Sequence, residues 1–396
     1  MPLTNVRIAP GFNKADTPSG AEGQWIDGDF VRFRYGQPEK IGGFTAIGQE
    51  TISGPTRAQH TWTDLEGNRY AALGTSKVLY IYYEDKFYDV TPLATAITGA
   101  TFTSTNGSNT VTVNKTSHSL DVGEYLTFTS VTLPGGGATG FTVADFQDFT
   151  YEVLTAPNAN SFTIQMKTNE SGTGMTAAGS ASINPYEEIG PTIQTYGYGW
   201  GTGTWSRGTW GSATTSSTVI LDPGTWSLDN FGQQLIATVK DGKTFVWNPG
   251  LSNPLDNRAV IMSGAPTASR LTITSDRDRH VVHFGTETTI GDPATQDPMF
   301  IRFSDQENFS VYQPTSINTA GTFRLDTGNK IVAAVSGKDY NLILTDQAAY
   351  TMQFVGPPFT FSIRQVGSNC GCIGQHATVY ADGKVFWMGS GGGFFV

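Results

Sequence analysis

The 396-residue chain carries 24 basic against 34 acidic side chains, a net charge of −10, which is the wrong sign for a protein that grips phosphate backbones by counterion release. Its length fits one large domain with an insertion, or two to three domains; only 15% of residues are charged, and the abundance of Gly, Thr, Ser and aromatic residues favours pleated strands and tight turns over helices. No apolar run is long enough to span a bilayer as a helix, and "MPLTNVRIAPGFNKADTPSG" lacks the charged start and apolar stretch of a signal peptide, so a soluble cytosolic product without a membrane segment is expected.

In chain order, alternating or β-branched runs recur, bounded by Gly, Asp, Asn and Pro. "NRYAALGTSKVLYIYYEDKFYDVTP" (68–92) reads as three strands joined by polar turns, and "GQQLIATVKDGKTFVWNP" (232–249) repeats its first two members. The pattern returns at 279–314, at 339–367 and at "GKVFWMGSGGGFFV" (383–396). Leu235, Val281, Leu342 and Val385 are spaced by about 46, 61 and 43 residues, close to the 40–50 of a propeller blade. A blade cannot bury its apolar face alone, so the fold expected is all-β, a degenerate β-propeller of radially packed sheets. Phe394 to Val396 either pairs with the N-terminal strand to close that propeller or belongs to a longer chain.

Between 95 and 188 the style changes to Thr-rich alternation, with eight acids against Lys115 and Lys167. This stretch reads as an acidic small β-sandwich or barrel inserted into a blade loop, where the two ends of an insertion lie close together. The organisation expected is N-terminal strands and first propeller part over 1–94, the inserted domain over 95–188, a Gly/aromatic arm or linker over 189–226, and the remaining blades over 227–396. The arm contains "TYGYGWGTGTWSRGTWGSATTSST" (195–218), in which Arg207 is the only charge. Its rings suit three roles: stacking on bases, stacking on sugars, or packing into a neighbouring subunit.

Residue patterns that carry chemistry are few. "ATVKDGKT" fails as a phosphate-binding loop because Ala237 stands where the first glycine is required, and Asp241-Gly242 reads instead as a hairpin turn. "SDRDRHVVHFG" gathers Asp276, Asp278, His280 and His283, but in a strand the two histidines point to opposite faces and cannot share a metal. Cys370 and Cys372, two apart, would also face opposite sides of a strand; they read as small buried residues rather than a disulfide or metal site. Neither GxSxG, HExxH nor an EF-hand loop occurs, and the five histidines, His60, His118, His280, His283 and His376, sit in ordinary strand or turn context. Trp62, Trp226, Trp247 and Trp387 lie in or beside apolar runs and are assigned to core packing, each needing one polar partner. No catalytic residue, metal or cofactor is expected.

Taken in order, "GQWIDGDFVRFRYGQPEKIGGF" (23–44), the Gly/aromatic tract, "TWSLDNFGQQLIATVKDGKTFVWNP" (225–249) and "YNLILTDQAAYTMQFVGPPFTFSIRQVGSNCGCIG" resemble the tail nozzle proteins of short-tailed bacteriophages, also called tail tubular protein B, tail hub or DNA stabilisation protein. The similarity covers most of the chain outside 95–188. It implies a virion protein assembled in the host cytoplasm, a hexameric ring of propeller-containing subunits below a tail adaptor, with tail fibres or spikes at the side and a tip or needle below. It also implies a channel that holds and conducts phage DNA without specific binding, and an acidic chain suits a conduit to which DNA does not stick. In such a ring Tyr196, Tyr198, Trp200, Trp205, Arg207 and Trp210 become candidates for the subunit interface, since aromatics are enriched at interfaces and glycine lets the backbone approach closely. The alternative is a propeller that binds or depolymerises host surface glycans.

Overall fold

A computed structural model describes residues 8–43, 45–46, 51–196, 220–249 and 257–396. The chain divides into two compact units, Met1–Gln49 and Glu50–Val396. In the first, Ala9–Phe12 pairs in parallel with Gln24–Trp25, and Val31–Arg34 forms an antiparallel hairpin with Gln37–Lys40. The hairpin turns at Tyr35-Gly36, both at positive φ, the backbone shape that matches the twist of the flanking strands. Phe33 packs on Phe12 and Trp25, with ring centroids 5.3 and 6.5 Å away. That aromatic trio is the unit's small core.

The second unit is a five-bladed β-propeller. Blade 1 comprises Thr56–Thr63, Arg69–Thr75, Leu79–Tyr83 and Lys86–Asp89; blade 2 comprises Trp226–Phe231, Gln234–Val239, Thr244–Trp247 and Val260–Ile261. Blade 3 comprises Leu271–Ser275, His280–Phe284, Phe300–Phe303 and Gly321–Arg324, and blade 4 comprises Ile331–Ser336, Asn341–Thr345, Ala348–Gly356 and Thr360–Ser368. Blade 5 has three strands, Thr378–Ala381, Lys384–Met388 and Phe394–Phe395. Each blade is an antiparallel meander, and from blade 1 to blade 5 the successive first strands run side by side. These first strands surround the axis. Phe394–Phe395 pairs with Lys384–Met388, as the third strand of its own blade.

A blade flanked on both sides must be apolar on both faces, and the two inner strands of blade 3 are buried at every residue. Trp62, Tyr70, Trp226 and Trp247 fill the seam between blades 1 and 2; Phe231, Ile236, Val281 and Tyr312 fill that between 2 and 3. Phe284, Ile301, Phe303, Ile343 and Tyr350 fill the third seam, and Leu342, Leu344, Val385 and Trp387 the fourth. Among the described residues no buried apolar cluster joins blade 5 to blade 1. Gly74 is required where it stands, because a Cβ there would lie 2.4 Å from the ring of Trp226.

The four tryptophans assigned to the core are buried, and each indole N–H donates to a carbonyl: Trp62 to Gln233, Trp226 to Thr75, Trp247 to Asn257 and Trp387 to Cys370, at 2.8–3.2 Å. Cys370 and Cys372 are buried free thiols, but they do not lie in one strand. They occupy the segment crossing from blade 4 to blade 5, and both pack into that same seam, which corrects the opposite-faces expectation.

The inserted region is one seven-stranded antiparallel sheet curled into a half-barrel, with strands in the order Tyr151–Glu152, Tyr125–Thr132, Ala178–Pro185, Ile97–Thr103, Thr110–Asn114, Ser161–Gln165 and Thr155–Asn158. Phe102, Phe128 and Phe162 fill its concave side. The short helix Val143–Gln147, held by the Thr142/Asp145 capping box, lays Phe146 over them with its ring 4.4 Å from that of Phe102. Its entry and exit strands meet at a neck, where Leu93 bridges to Tyr186 and the amides of Ala94 and Glu187 donate to the carbonyls of Pro185 and Pro92.

Candidate functional site

The residues singled out in the Gly/aromatic tract fall mostly outside the described region. Tyr198, Trp200, Trp205, Arg207 and Trp210 lie there, and Tyr196 is described only by its backbone, which pairs with Ile220 as Thr195–Tyr196 meets Ile220–Leu221.

The polar run 275–285 resolves into two separate networks. His280 and His283 do point to opposite faces of their strand. His283, toward blade 2, contacts the hydroxyls of Ser269 and Thr272 through Nδ1 and that of Tyr312 through Nε2, at 3.0–3.1 Å. His280, toward blade 4, lies against Phe303, Phe354 and Phe361, with Nδ1 3.2 Å from Asp278 and Nε2 3.1 Å from the Thr319 hydroxyl. Thr319 donates onward to Asp305, Asp278 accepts from Ser275, and Asn341 of blade 4 donates to Ser275. Hydrogen bonds thus link Asp305, Thr319 and His280 within blade 3, and Asp278, Ser275 and Asn341 between blades 3 and 4, while His280 Nδ1 faces Asp278 without a hydrogen bond. Asp278 stands in the turn between two strands, and nothing in the sequence pattern marks its side chain as buried against His280. Thr319 has already committed its proton to Asp305, so no free nucleophile results. Among the described residues no group of three or more His, Cys, Asp or Glu is arranged to hold a metal ion.

A second polar hub sits at the neck of the insertion. Arg258 donates to both oxygens of Asp89 at 3.2 Å, to the Thr91 carbonyl at 3.0 Å and to the Tyr186 hydroxyl at 2.8 Å, while stacking over the Tyr186 ring. Tyr186 also donates to Asp89. One guanidinium therefore ties blade 1, the insertion and the loop within blade 2.

A cavity of about 390 Å³ lies on the axis at the end where the inner strands begin. Its wall includes Thr225, Leu271 and Val332 at the starts of three first strands, and the turn Gly374–His376 that leads into the fourth. Local sequence explains the placement. Arg270 and Lys330 immediately precede the first strands of blades 3 and 4, and Lys240 begins the tight turn after the second strand of blade 2, with Asp241 at positive φ as the Asp-Gly dipeptide predicted.

Three cations thereby converge on Asp222. Lys240 contacts it at 3.0 Å and Lys330 at 3.9 Å, while the Arg270 charge also acts on it. Burial opposes ionisation of Asp222, but the Lys240 hydrogen bond and the three positive charges outweigh it and hold the carboxyl below its ordinary value. Asp346 is also kept ionised: burial opposes, and hydrogen bonds from the Asn329 backbone and side chain and the Lys330 amide prevail. Burial lowers the pKa of His376, with the Trp226 carbonyl opposing, so this imidazole is neutral at pH 7. None of these residues was proposed as a site from sequence. The available signal was positional: a cation directly ahead of the inner strand in two successive repeats.

No protein-family model matches the chain, and no curated protein matches its sequence. Among solved structures, it is similar to the phage phi92 endosialidase, at 13% identity and a TM-score of 0.27 over 89% of this chain, which spans 55% of that protein's length. It is also similar to two structures of Hsv2 from Kluyveromyces lactis, each at 10% identity and a TM-score of 0.22. Likeness this distant carries no argument about activity.

Proposed function

We propose that the chain is a structural virion protein, a tail nozzle subunit of a short-tailed bacteriophage that forms a ring and docks to a tail adaptor and fibres. The ordered phrases behind that resemblance fall on the Val31–Lys40 hairpin, on blade 2 and on blade 4 with its crossing to blade 5. The observation that carries the reading is the outer face of blade 5, where Val379 pairs with Phe386 and both are about half exposed, at 55% and 43%, beside Met388. In the other blades such a face is covered by the next blade. An apolar sheet face left open marks a protein built to be covered by another surface.

The charged groups support assembly over catalysis. Cleavage of glycans uses two carboxylates about 5–10 Å apart that are free to act on the substrate. The two carboxylates lining the axial cavity, Asp222 and Asp346, are each engaged by cations or amides of their own chain. The cavity also has the volume of a small-molecule site, whereas the major groove of a duplex alone is about 12 Å wide. DNA would therefore pass through the lumen of a ring of subunits and not along a propeller axis.

The test is assembly. Images of virions, and native mass spectrometry of the chain with its adaptor, are expected to show a hexameric ring; replacing Trp200, Trp205 and Trp210 by Ala should weaken ring formation while the circular dichroism of the propeller is unchanged. A chain that stays monomeric with the adaptor, or that cleaves a host polysaccharide, would overturn the reading.

A further inference from the structure

We propose that the axial cavity binds a small oxyanion, the carboxylate of an acidic sugar or a phosphate group, between Arg270, Lys330 and the backbone of the turn Gly374–His376. The inference is independent of ring assembly. It starts from a surplus of donors. The Arg270 side chain is only 15% exposed, yet among the described residues one alone of its five N–H groups is engaged, by Asp241 at 3.3–3.4 Å. Lys330, whose side chain is 46% exposed, has among the described residues only Asp222 as an ion-pair partner, 3.9 Å away and beyond hydrogen-bond reach. That same Asp222 already receives a direct hydrogen bond from Lys240, so one carboxylate serves three cations.

The backbone adds to the surplus. In the turn that also lines the cavity, the amides of Gly374, Gln375 and His376 donate to no acceptor among the described residues. Unpaired amides of a turn are available to an anion that enters the cavity, and a guanidinium offers two parallel donors to a carboxylate or phosphate. The chain has ten more acids than bases, yet the residues lining this cavity include three cations, Lys240, Arg270 and Lys330, against two carboxylates, Asp222 and Asp346. A 390 Å³ cavity accommodates one sugar ring or a phosphate with its first water shell.

The experiment is calorimetric titration of the full chain at fixed ionic strength with inorganic phosphate and, separately, with glucuronate, using glucose as the neutral control. Saturable binding of at least one anion is expected, with Kd between about 0.1 and 10 mM and no heat from glucose. Arg270→Gln and Lys330→Gln should each weaken it by about tenfold or more, while Lys338→Gln, on an exposed loop, leaves it unchanged. Because Arg270 also packs against Gly285, circular dichroism must accompany its variant; should that variant fail to fold, the change at half-exposed Lys330 decides the matter alone. Binding of glucuronate alone identifies the acidic sugar, binding of phosphate alone identifies the phosphoryl group, and binding of both supports the shared oxyanion chemistry. Absence of saturable binding by either anion up to about 50 mM, or equal affinity in wild type and Lys330→Gln, overturns the proposal.

Discussion

Acidification from pH 7 to pH 5 should destabilise the propeller through His283, and the size of the effect follows from its burial. Burial, and then the Arg302 charge beside it, push its pKa down from 6.5 to about 3. The unfolded chain takes up a proton near pH 6.5, whereas the folded chain resists until about pH 3. Between those values the unfolded state binds more protons, so stability falls as pH falls. At pH 5 the gap is about 1.5 pH units below the unfolded pKa, which at 1.36 kcal/mol per unit costs about 2 kcal/mol. The assay is urea denaturation of wild type and His283→Gln at both pH values. Gln cannot titrate, so its baseline stability changes through the lost contacts to Ser269, Thr272 and Tyr312, but its pH slope loses the His283 contribution. Asp229 and Asp276 oppose the trend, because burial raises their pKa values and protonation stabilises the fold, yet they are common to both proteins and cancel in the difference. Wild type should lose about 2 kcal/mol more than the variant between pH 7 and pH 5. Equal losses would show that His283 is hydrated or charged in the folded state and would refute the reasoning.

Two further outcomes test the packing. Gly74→Ala should destabilise the seam between blades 1 and 2 by about 1–3 kcal/mol, because the added methyl meets the buried Trp226 ring; an unchanged thermal midpoint would place that ring elsewhere. Arg258→Met should remove charge-assisted bonds of about 1.5–3 kcal/mol at the neck and accelerate proteolytic cleavage near residues 90–95 and 186–190, whereas an unaltered digestion pattern would mean that the backbone pairing alone holds the neck.

The blades were legible where strands alternate or run apolar between turn residues, as in Leu79–Tyr83, Gln234–Val239 and Asn341–Thr345. The inner strand of blade 1, "TRAQHTWT", escaped because its polar residues are distributed along an axis-facing strand that buries only Ala58 and Trp62 fully. Trp226–Phe231 straddled the expected boundary between arm and blades for a similar reason, since "WSLDNF" places Asp229 and Asn230 inside a strand. The inserted sheet showed its alternation plainly, but a sandwich, a barrel and a curled half-barrel share the same period of two, and only the pairing order separates them. The axial cavity was invisible because it draws single residues from four successive repeats; strand periodicity reports faces within a sheet, not which strand starts meet around an axis.

The same topology explains where the propeller concentrates its aromatic packing. Roughly 136 residues separate the last strand of blade 1 at Asp89 from the first strand of blade 2 at Trp226, against about nine between blades 2 and 3. If the longer connection behaved as a free loop, closing it would cost about 2 kcal/mol more than the short one. The fold recovers that difference by shortening the path twice: Leu93 meets Tyr186 at the neck, and Thr195–Tyr196 meets Ile220–Leu221 at the base of the aromatic tract. What remains between blades 1 and 2 is a few residues at each junction, held by Arg57 donating to the carbonyls of Pro191, Thr192 and Gly224 and by Arg258 donating to Asp89. Loss of the neck would lengthen the tether at the one junction that lacks a short linker. The edge-on contact of Trp62 with Trp247, 6.1 Å apart, and the insertion of Trp226 over Gly74 are the side-chain packing that holds this seam against that loss. The seam and the neck should therefore fail together, and the destabilisation from combining Gly74→Ala with Arg258→Met should exceed the sum of the two single changes.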